Sequence, residues 1–184
     1  QTAKSPHFDQ YSCPLPLTHK DQVVLSHGSG GKMTKDLIQD IFRQHFSNSI
    51  LDKENDFADF QIDPGNKIVV STDAHIVSPV FFPGGDIGRL AVAGTVNDIA
   101  MSGGLPKYIT ASFILEEGFS LSDLDRIAQS MRATAEEAGV EIIAGDTKVI
   151  EKGDIEECYI TTAGLGVLDH DKVFAPERIQ AGDA

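Results

Sequence analysis

The sequence predicts an α/β (α+β) domain with one mixed β-sheet and helices on one face. Three observations carry that prediction: strand-like and helix-like runs alternate, the last two strand-like runs read as a hairpin, and residues 88–106 form a long apolar stretch of helical character. At 184 residues and 19.8 kDa the chain suits one core, which at this size buries about 70% of the unfolded surface. No internal repeat is visible.

Residues 1–21 are polar, carry Pro6, Pro14 and Pro16, lack sustained periodicity, and are expected to form an irregular leader. Order is expected to begin near Val23, with Val23–Leu25 a short strand. It feeds the loop His27-Gly28-Ser29-Gly30-Gly31-Lys32 and a helix from Met33 to Phe46, whose stripe is Leu37, Ile38, Ile41, Phe42, His45 and Phe46. Strand, glycine loop and helix is a phosphate-cradle layout. Yet Ser26 stands where a P-loop needs its first glycine, and Met33 where it needs Ser or Thr. A flexible turn and a ligand loop both remain open, and His27 reads as a loop histidine.

After the turn Asp63-Pro64-Gly65-Asn66, Lys67 to Thr72 reads as a strand ended by Asp73. Ser71, Thr72 and Asp73 are then either a site element or a turn cap. Phe81 and Phe82 read as packing residues, and Asp86 as the N-cap of the apolar helix. Between Arg89 and Lys107 the only ionisable side chain is Asp98, beside Asn97, so the helix is expected to be buried on most of its circumference. A desolvated carboxylate needs a metal, a cation or several donors; a structural hydrogen-bond network is the alternative.

Gly103, Gly104 and Pro106 stop that helix, and Tyr108 to Leu115 is a strand. Glu116-Glu117-Gly118 reads as a solvated turn. The next helix is capped by Ser120 or Ser122, keeps Leu121, Leu124, Ile127, Ala128, Met131, Ala135 and Ala138 in helical spacing, and ends at Gly139. A strand over Val140 to Ala144 leads into Gly145-Asp146-Thr147-Lys148, which sets a carboxylate, a hydroxyl and an amine side by side. The hairpin turns near Gly153-Asp154 and returns through Cys158 to Gly164.

The net charge of −13 excludes a nucleic-acid or anionic-membrane surface as the expected partner. Neither cysteine, Cys13 or Cys158, has metal spacing, and both read as free thiols. With no signal-like or membrane-spanning run, a cytoplasmic protein is expected. Asp73, Asp98 and Asp146, with Asn97, are hard oxygen ligands suited to Mg²⁺ shared with phosphates. Lys148 and the loop Gly28, Ser29, Gly30, Gly31, Lys32 would supply positive charge and N–H donors.

At these residues the sequence resembles the ATP-dependent enzymes related to aminoimidazole ribonucleotide synthetase, a family that includes selenophosphate synthetase and thiamine-monophosphate kinase. Ser71-Thr72-Asp73, the run Phe81 to Gly88, Gly94-Thr95-Val96-Asn97-Asp98-Ile99-Ala100, Phe113 to Gly118 and Gly145-Asp146-Thr147-Lys148-Val149 resemble its hydrogenase-maturation branch. The resemblance covers residues 22–168 and implies an ATP-binding domain whose sheet is completed across a homodimer. It implies ATP and Mg²⁺ as cofactors, Lys148 and Asp98 in catalysis, Asp73, Asp98 and Asp146 on metal, and Gly28 to Lys32, Thr72, Asn97, Thr147 and Lys148 on nucleotide.

The implied reaction dehydrates a carboxamide on a C-terminal cysteine to a thiocyanate after ATP phosphorylates the amide oxygen. The implied partners are a carbamoyltransferase and an iron-carrying maturation scaffold. The acceptor cysteine and second domain are not in this chain, so residues 169–184 are expected to begin a linker, and the chain is expected not to complete the reaction alone. A related small-molecule kinase or synthetase, or an inactive dimerisation and docking module, are the alternatives.

Overall fold

The computed structural model describes residues 21–55, 57–168 and 179–183. Cys13, nearly all of the expected leader and most of the expected linker lie outside them. The main sheet has four strands in the order β1-β6-β4-β5: β1 is Lys67–His75, β4 Leu105–Glu116, β5 Glu141–Ile150 and β6 Cys158–Leu168. A two-stranded ribbon pairs β2 (Phe81–Phe82) with β3 (Gly85–Asp86). β6 runs antiparallel to both β1 and β4, whereas β4 and β5 are parallel. That parallel pair requires a crossover, supplied by helix α4 (Leu121–Ala138).

α4 begins where Ser120 Oγ accepts from Asp123 N at 3.3 Å, and ends at Gly139 with φ +68°, a left-handed conformation that glycine adopts without steric cost. Its buried stripe, Leu124, Ile127, Ala128, Met131 and Ala135, packs under the sheet. Helix α3 (Ile87–Met101) is capped by Asp86, whose Oδ1 accepts from Gly88 N at 2.7 Å and Arg89 N at 3.0 Å. α3 meets α4 at Gly88, where an added Cβ would lie 2.6 Å from Ile127 O and 2.8 Å from Met131 Cγ. It meets β6 at Gly164 and Gly166, where an added Cβ would stand 2.5 Å from Thr95 Cγ2 and 2.4 Å from Ile99 Cγ2, respectively. Glycine at these places lets the layers approach more closely than any larger residue would.

The apolar helix is not enclosed as expected. Ile87, Gly88, Ala91, Val92, Thr95 and Ile99 are buried, but Asn97 and Asp98 are exposed and Met101 is 75% exposed. Ala, Gly and Thr are tolerated at a surface, so a shortage of charge did not require burial all round.

Four more expectations change. Val23–Leu25 is not a strand: Gln22 forms an isolated bridge to Ser120, and Leu25–Gly28 is a 3₁₀ turn. The strands carrying Asp73 and Asp146 run past them, so both carboxylates lie within strands. The expected terminal hairpin does not form either: β5 and β6 flank β4 on opposite sides and do not pair, because the chain crosses the end of β4 between them. Glu116 does more than solvate a turn, because its carboxylate accepts from Gly153 N at 2.9 Å and Glu157 N at 3.3 Å and ties down that β5–β6 connection.

The N-terminal helix consists of α1 (Lys32–Leu37), a π turn over Ile38–Phe42 and α2 (Arg43–Phe46). In the π turn Arg43 N donates to Ile38 O five residues back. Leu37, Ile41, Phe42 and Phe46 are buried, and Phe42 lies 4.6 Å, centroid to centroid, from Phe113 of β4. This contact holds the helix against the sheet on the β5 side.

Candidate functional site

The expected site residues fall into two groups. The first surrounds a cavity of about 620 Å³ beside β5, within the usual size range of small-molecule sites, about 300–1,000 Å³. Gly30, Gly31 and Thr34 line one wall, Gly145, Asp146 and Thr147 another, and the π turn closes it with Phe42. Two runs far apart in sequence, the glycine loop and Gly145-Asp146-Thr147, thus share one space.

The loop is held by local bonds: Ser29 Oγ donates to Ser26 O at 3.0 Å, and Gly30 N donates to Thr34 Oγ1 at 2.9 Å. Gly28 sits directly on β5, where an added Cβ would be 2.4 Å from Val149 N. Lys32 is exposed and pairs with Asp36. Thr147 is buried, while Asp146 and Lys148 are 62% and 61% exposed, with Lys148 Nζ 3.4 Å from Asp146 Oδ1. Thr147 N also donates to Asp146 Oδ1 at 2.9 Å. The carboxylate is oriented and the ammonium is held loosely beside it.

His27 acts within the loop's framework. Its ring is buried, and Nδ1 accepts from Val24 N at 3.0 Å, which requires that nitrogen to be unprotonated. Burial lowers its pKa from 6.5, with Asp36 opposing more weakly. The folded state therefore binds this proton less readily than the unfolded chain. Its stabilising effect is complete above the unfolded value and is lost as pH falls through the lowered folded value. Thermal melts should thus move to lower temperature between about pH 7.5 and pH 5.5, with a shallower slope in His27→Asn, whose amide oxygen can still accept. An unchanged slope in that variant would remove His27 as a contributor.

The second group lies at the β1 edge, on the face covered by α3. Ser71 Oγ donates to Asp98 Oδ2 at 2.9 Å, and Asp73 Oδ1 accepts from Ala74 N at 2.8 Å. Thr72 points to the other face and donates its hydroxyl to Thr162 O at 3.0 Å. Exposed Asn97 precedes Asp98 on α3. His75 is buried behind these carboxylates. Desolvation lowers its pKa, and Asp73 and Asp98 raise it by lesser amounts.

The register gives the relation between the groups. Asp73 pairs with Thr162, Thr162 with Ala111, and Ala111 with Gly145. Three strand spacings, about 14 Å, therefore separate the β1 and β5 edges. Asp73 is on the helix face and Asp146, one residue beyond Gly145, on the other. The expected set Asp73, Asp98 and Asp146 is therefore not collected within one chain, and among the described residues no group of three or more His, Cys, Asp or Glu could hold a metal. The cause is topological: β1 and β5 are the two outer strands.

Cys158 is fully buried, and its thiol is pushed up to about 12, chiefly by burial and secondarily by Glu157. It stays protonated at neutral pH and is no nucleophile. Residues not anticipated are Arg43 and Glu54, paired at the cavity wall, with Asp52 as a second partner of Arg43, and the buried polar set His75, Thr95 and Thr162. For His75 one signal was available, since it lies two residues after Asp73 and hence on the same strand face. Among the described residues no helix is long and apolar enough to cross a membrane.

A family model described as AIR synthase related protein, N-terminal domain, matches residues 54–168. The chain is 50% identical over 161 residues to "Carbamoyl dehydratase HypE" of Azotobacter vinelandii, covering 88% of this chain and 47% of that protein. Among solved structures, hydrogenase maturation protein HypE in complex with ATP is 44% identical with a TM-score of 0.82, over 85% of this chain and 46% of that one. A HypE–HypF complex is 49% identical with a TM-score of 0.57, over 74% of this chain and 44% of that one. The chain spans about half the length of the curated relatives it matches.

Proposed function

The chain belongs to the AIR synthase related protein family, and from that premise we propose that it is the ATP-binding and dimerisation domain, residues 22–168, of a carbamoyl dehydratase that matures [NiFe] hydrogenase in the cytoplasm. The observation that carries this proposal is the cavity shared by the glycine loop and Gly145-Asp146-Thr147. It is supported by the likeness of this chain to a HypE that binds ATP.

The donor set fits Mg²⁺ bound together with phosphates. Asp146, Asp73 and Asp98 are hard oxygen donors, and too few are gathered in one chain to cage an ion unaided. We assign the β5 group to phosphate: Gly28, Ser29, Gly30, Gly31 and Lys32 would close over it, Thr147 and Lys148 would contact it, and Asp146 would hold metal. Asp73 and Asp98, with Thr72 and Asn97, are assigned to the same site from the opposite edge of a second copy. A homodimer would bring the β1 edge of one protomer to the β5 edge of its partner, accounting for ligands that one chain keeps apart.

ATP supplies the phosphoryl group that turns an amide oxygen into a leaving group. Lys148 would neutralise charge on that group, and Asp98 would orient it through the bound cation. The acceptor is a carboxamide on a C-terminal cysteine outside this chain, loaded by a carbamoyltransferase, with the thiocyanate passed to an iron-carrying scaffold. Support for the first of these partners comes from the likeness to a HypE solved with HypF.

Calorimetry with Mg-ATP tests the site. Binding that weakens at least about tenfold in Asp98→Ala is expected. No heat from the dimer, and no change in that variant, would leave a docking module as the reading.

A further inference from the structure

A buried hydrogen-bond chain lies behind Asp73. Thr162 of β6 is fully buried and meets three groups: Thr95 Oγ1 at 2.6 Å, His75 Nε2 at 3.2 Å and Ala91 O at 3.4 Å. One proton arrangement satisfies all three. Thr162 donates to the Ala91 carbonyl, which can only accept, and its two lone pairs receive Thr95 O–H and His75 Nε2–H.

His75 has a second neighbour on the same nitrogen. Asp73 Oδ2 stands 3.7 Å from Nε2, beyond hydrogen-bond distance. The ring also has little room to move, because α3 passes over it at Gly94, where an added Cβ would lie 3.0 Å from His75 Cε1 and 3.4 Å from Asp73 Oδ2. Asp73 Oδ1 is already engaged by Ala74 N at 2.8 Å. Oδ2 is thus the oxygen left for another ligand, and the Thr162 hydroxyl is what engages the nearby N–H in its place.

We propose that Thr162 is a positioning residue for the cation site: by accepting from His75 Nε2 it holds that N–H off Asp73 Oδ2, keeping the carboxylate available to a divalent cation. The inference rests on the assignment of Asp73 to metal made above. Without the hydroxyl, Asp73 Oδ2 is the nearby acceptor left to Nε2–H; the ring is held, but the half-exposed carboxylate can close the 3.7 Å gap, and the N–H then competes with the cation for the same lone pairs. Thr95 supports the arrangement by fixing the hydroxyl from α3, which explains a polar pair at the centre of an apolar layer.

The test is Mn²⁺ binding in the presence of a non-hydrolysable ATP analogue, with free Mn²⁺ followed by electron paramagnetic resonance and folding followed by thermal melts. Thr162→Val should weaken Mn²⁺ by about tenfold, the low end of the effect of altering a ligand's hydrogen-bond partner. Thr162→Ser should keep the parent affinity. His75→Phe, which has no N–H to compete, should also keep it, and the double variant Thr162→Val, His75→Phe should recover what Thr162→Val loses. A structural role alone would make the double variant worse.

Unchanged affinity in Thr162→Val, or a double variant no tighter than Thr162→Val, overturns the proposal. If the Thr162 variants do not fold, a tenfold loss in His75→Phe alone overturns it, and parent affinity there supports it. Asp73→Asn separates the two levels. If it leaves Mn²⁺ binding intact, the assignment of Asp73 to metal fails; if it abolishes binding while Thr162→Val does nothing, only the role of Thr162 fails.

Discussion

Replacing Gly88 with alanine is expected to destabilise the domain by roughly 2–4 kcal/mol, combining overpacking with damage to a helix cap. The new Cβ would stand 2.6 Å from Ile127 O, a backbone atom of α4 that cannot rotate away, and 3.0 Å from Asp86 Oδ1. Moving α3 outward relieves the first contact, but it draws the helix off Gly164 and Gly166. Shifting Asp86 relieves the second, but it frees the N–H groups of Gly88 and Arg89 that this carboxylate accepts from. Urea unfolding should show a lower midpoint with an unchanged slope. A loss below about 0.5 kcal/mol, the range of an ordinary surface substitution, would mean that the helices do not cross so closely.

The second large effect is on chemistry. Lys148→Ala is expected to lower ATP-dependent turnover of the complete enzyme by about 10²–10³, as for removal of one preorganised charge-stabilising group. Stability should hardly change, because the side chain is 61% exposed and its contact with Asp146 is a long 3.4 Å. Turnover, ATP affinity and melting temperature measured on the same preparation separate these effects. Full turnover in the variant would take Lys148 out of the reaction, while a parallel fall in melting temperature would make its role structural.

Local chemistry was legible in the sequence. Asp86 and Ser120 cap the helices assigned to them, Gly139 ends α4 in the left-handed conformation, and Met131 and Cys158 are fully buried. Such features depend on a few neighbouring residues, whose side-chain chemistry fixes the backbone. The edge strands were harder to delimit. Asp73 and His75 lie on the helix-facing side of β1, where His75 is buried against the Thr162 hydroxyl instead of an apolar neighbour, so the strand continues there without an apolar signal.

The site was legible as a set of residues and not as an arrangement. Asp73 and Asp146 both have the right chemistry, but strand order is fixed by contacts across the whole domain, and no spacing in the sequence states that β1 and β5 are the outer strands. His75, Thr95 and Thr162 escaped for the same reason, since their contact joins β1, α3 and β6. The exposure of Asp98 shows the limit of reading burial from charge alone.

The strand order also governs how the domain can be made. β6 is the last of this sheet's four strands to be synthesised, yet it lies between β1 and β4, and Lys67 at the start of β1 pairs with Leu168 at the end of β6. During translation β1 leaves the ribosome long before any partner exists, and its amides wait in water until residues 158–168 emerge. Closing so long a loop is the slow event in such a topology. Stalled nascent chains that end before Cys158 should therefore leave β1 unprotected from hydrogen exchange, and protection should arrive together across β1, β6 and β4 once that final strand is free of the exit tunnel.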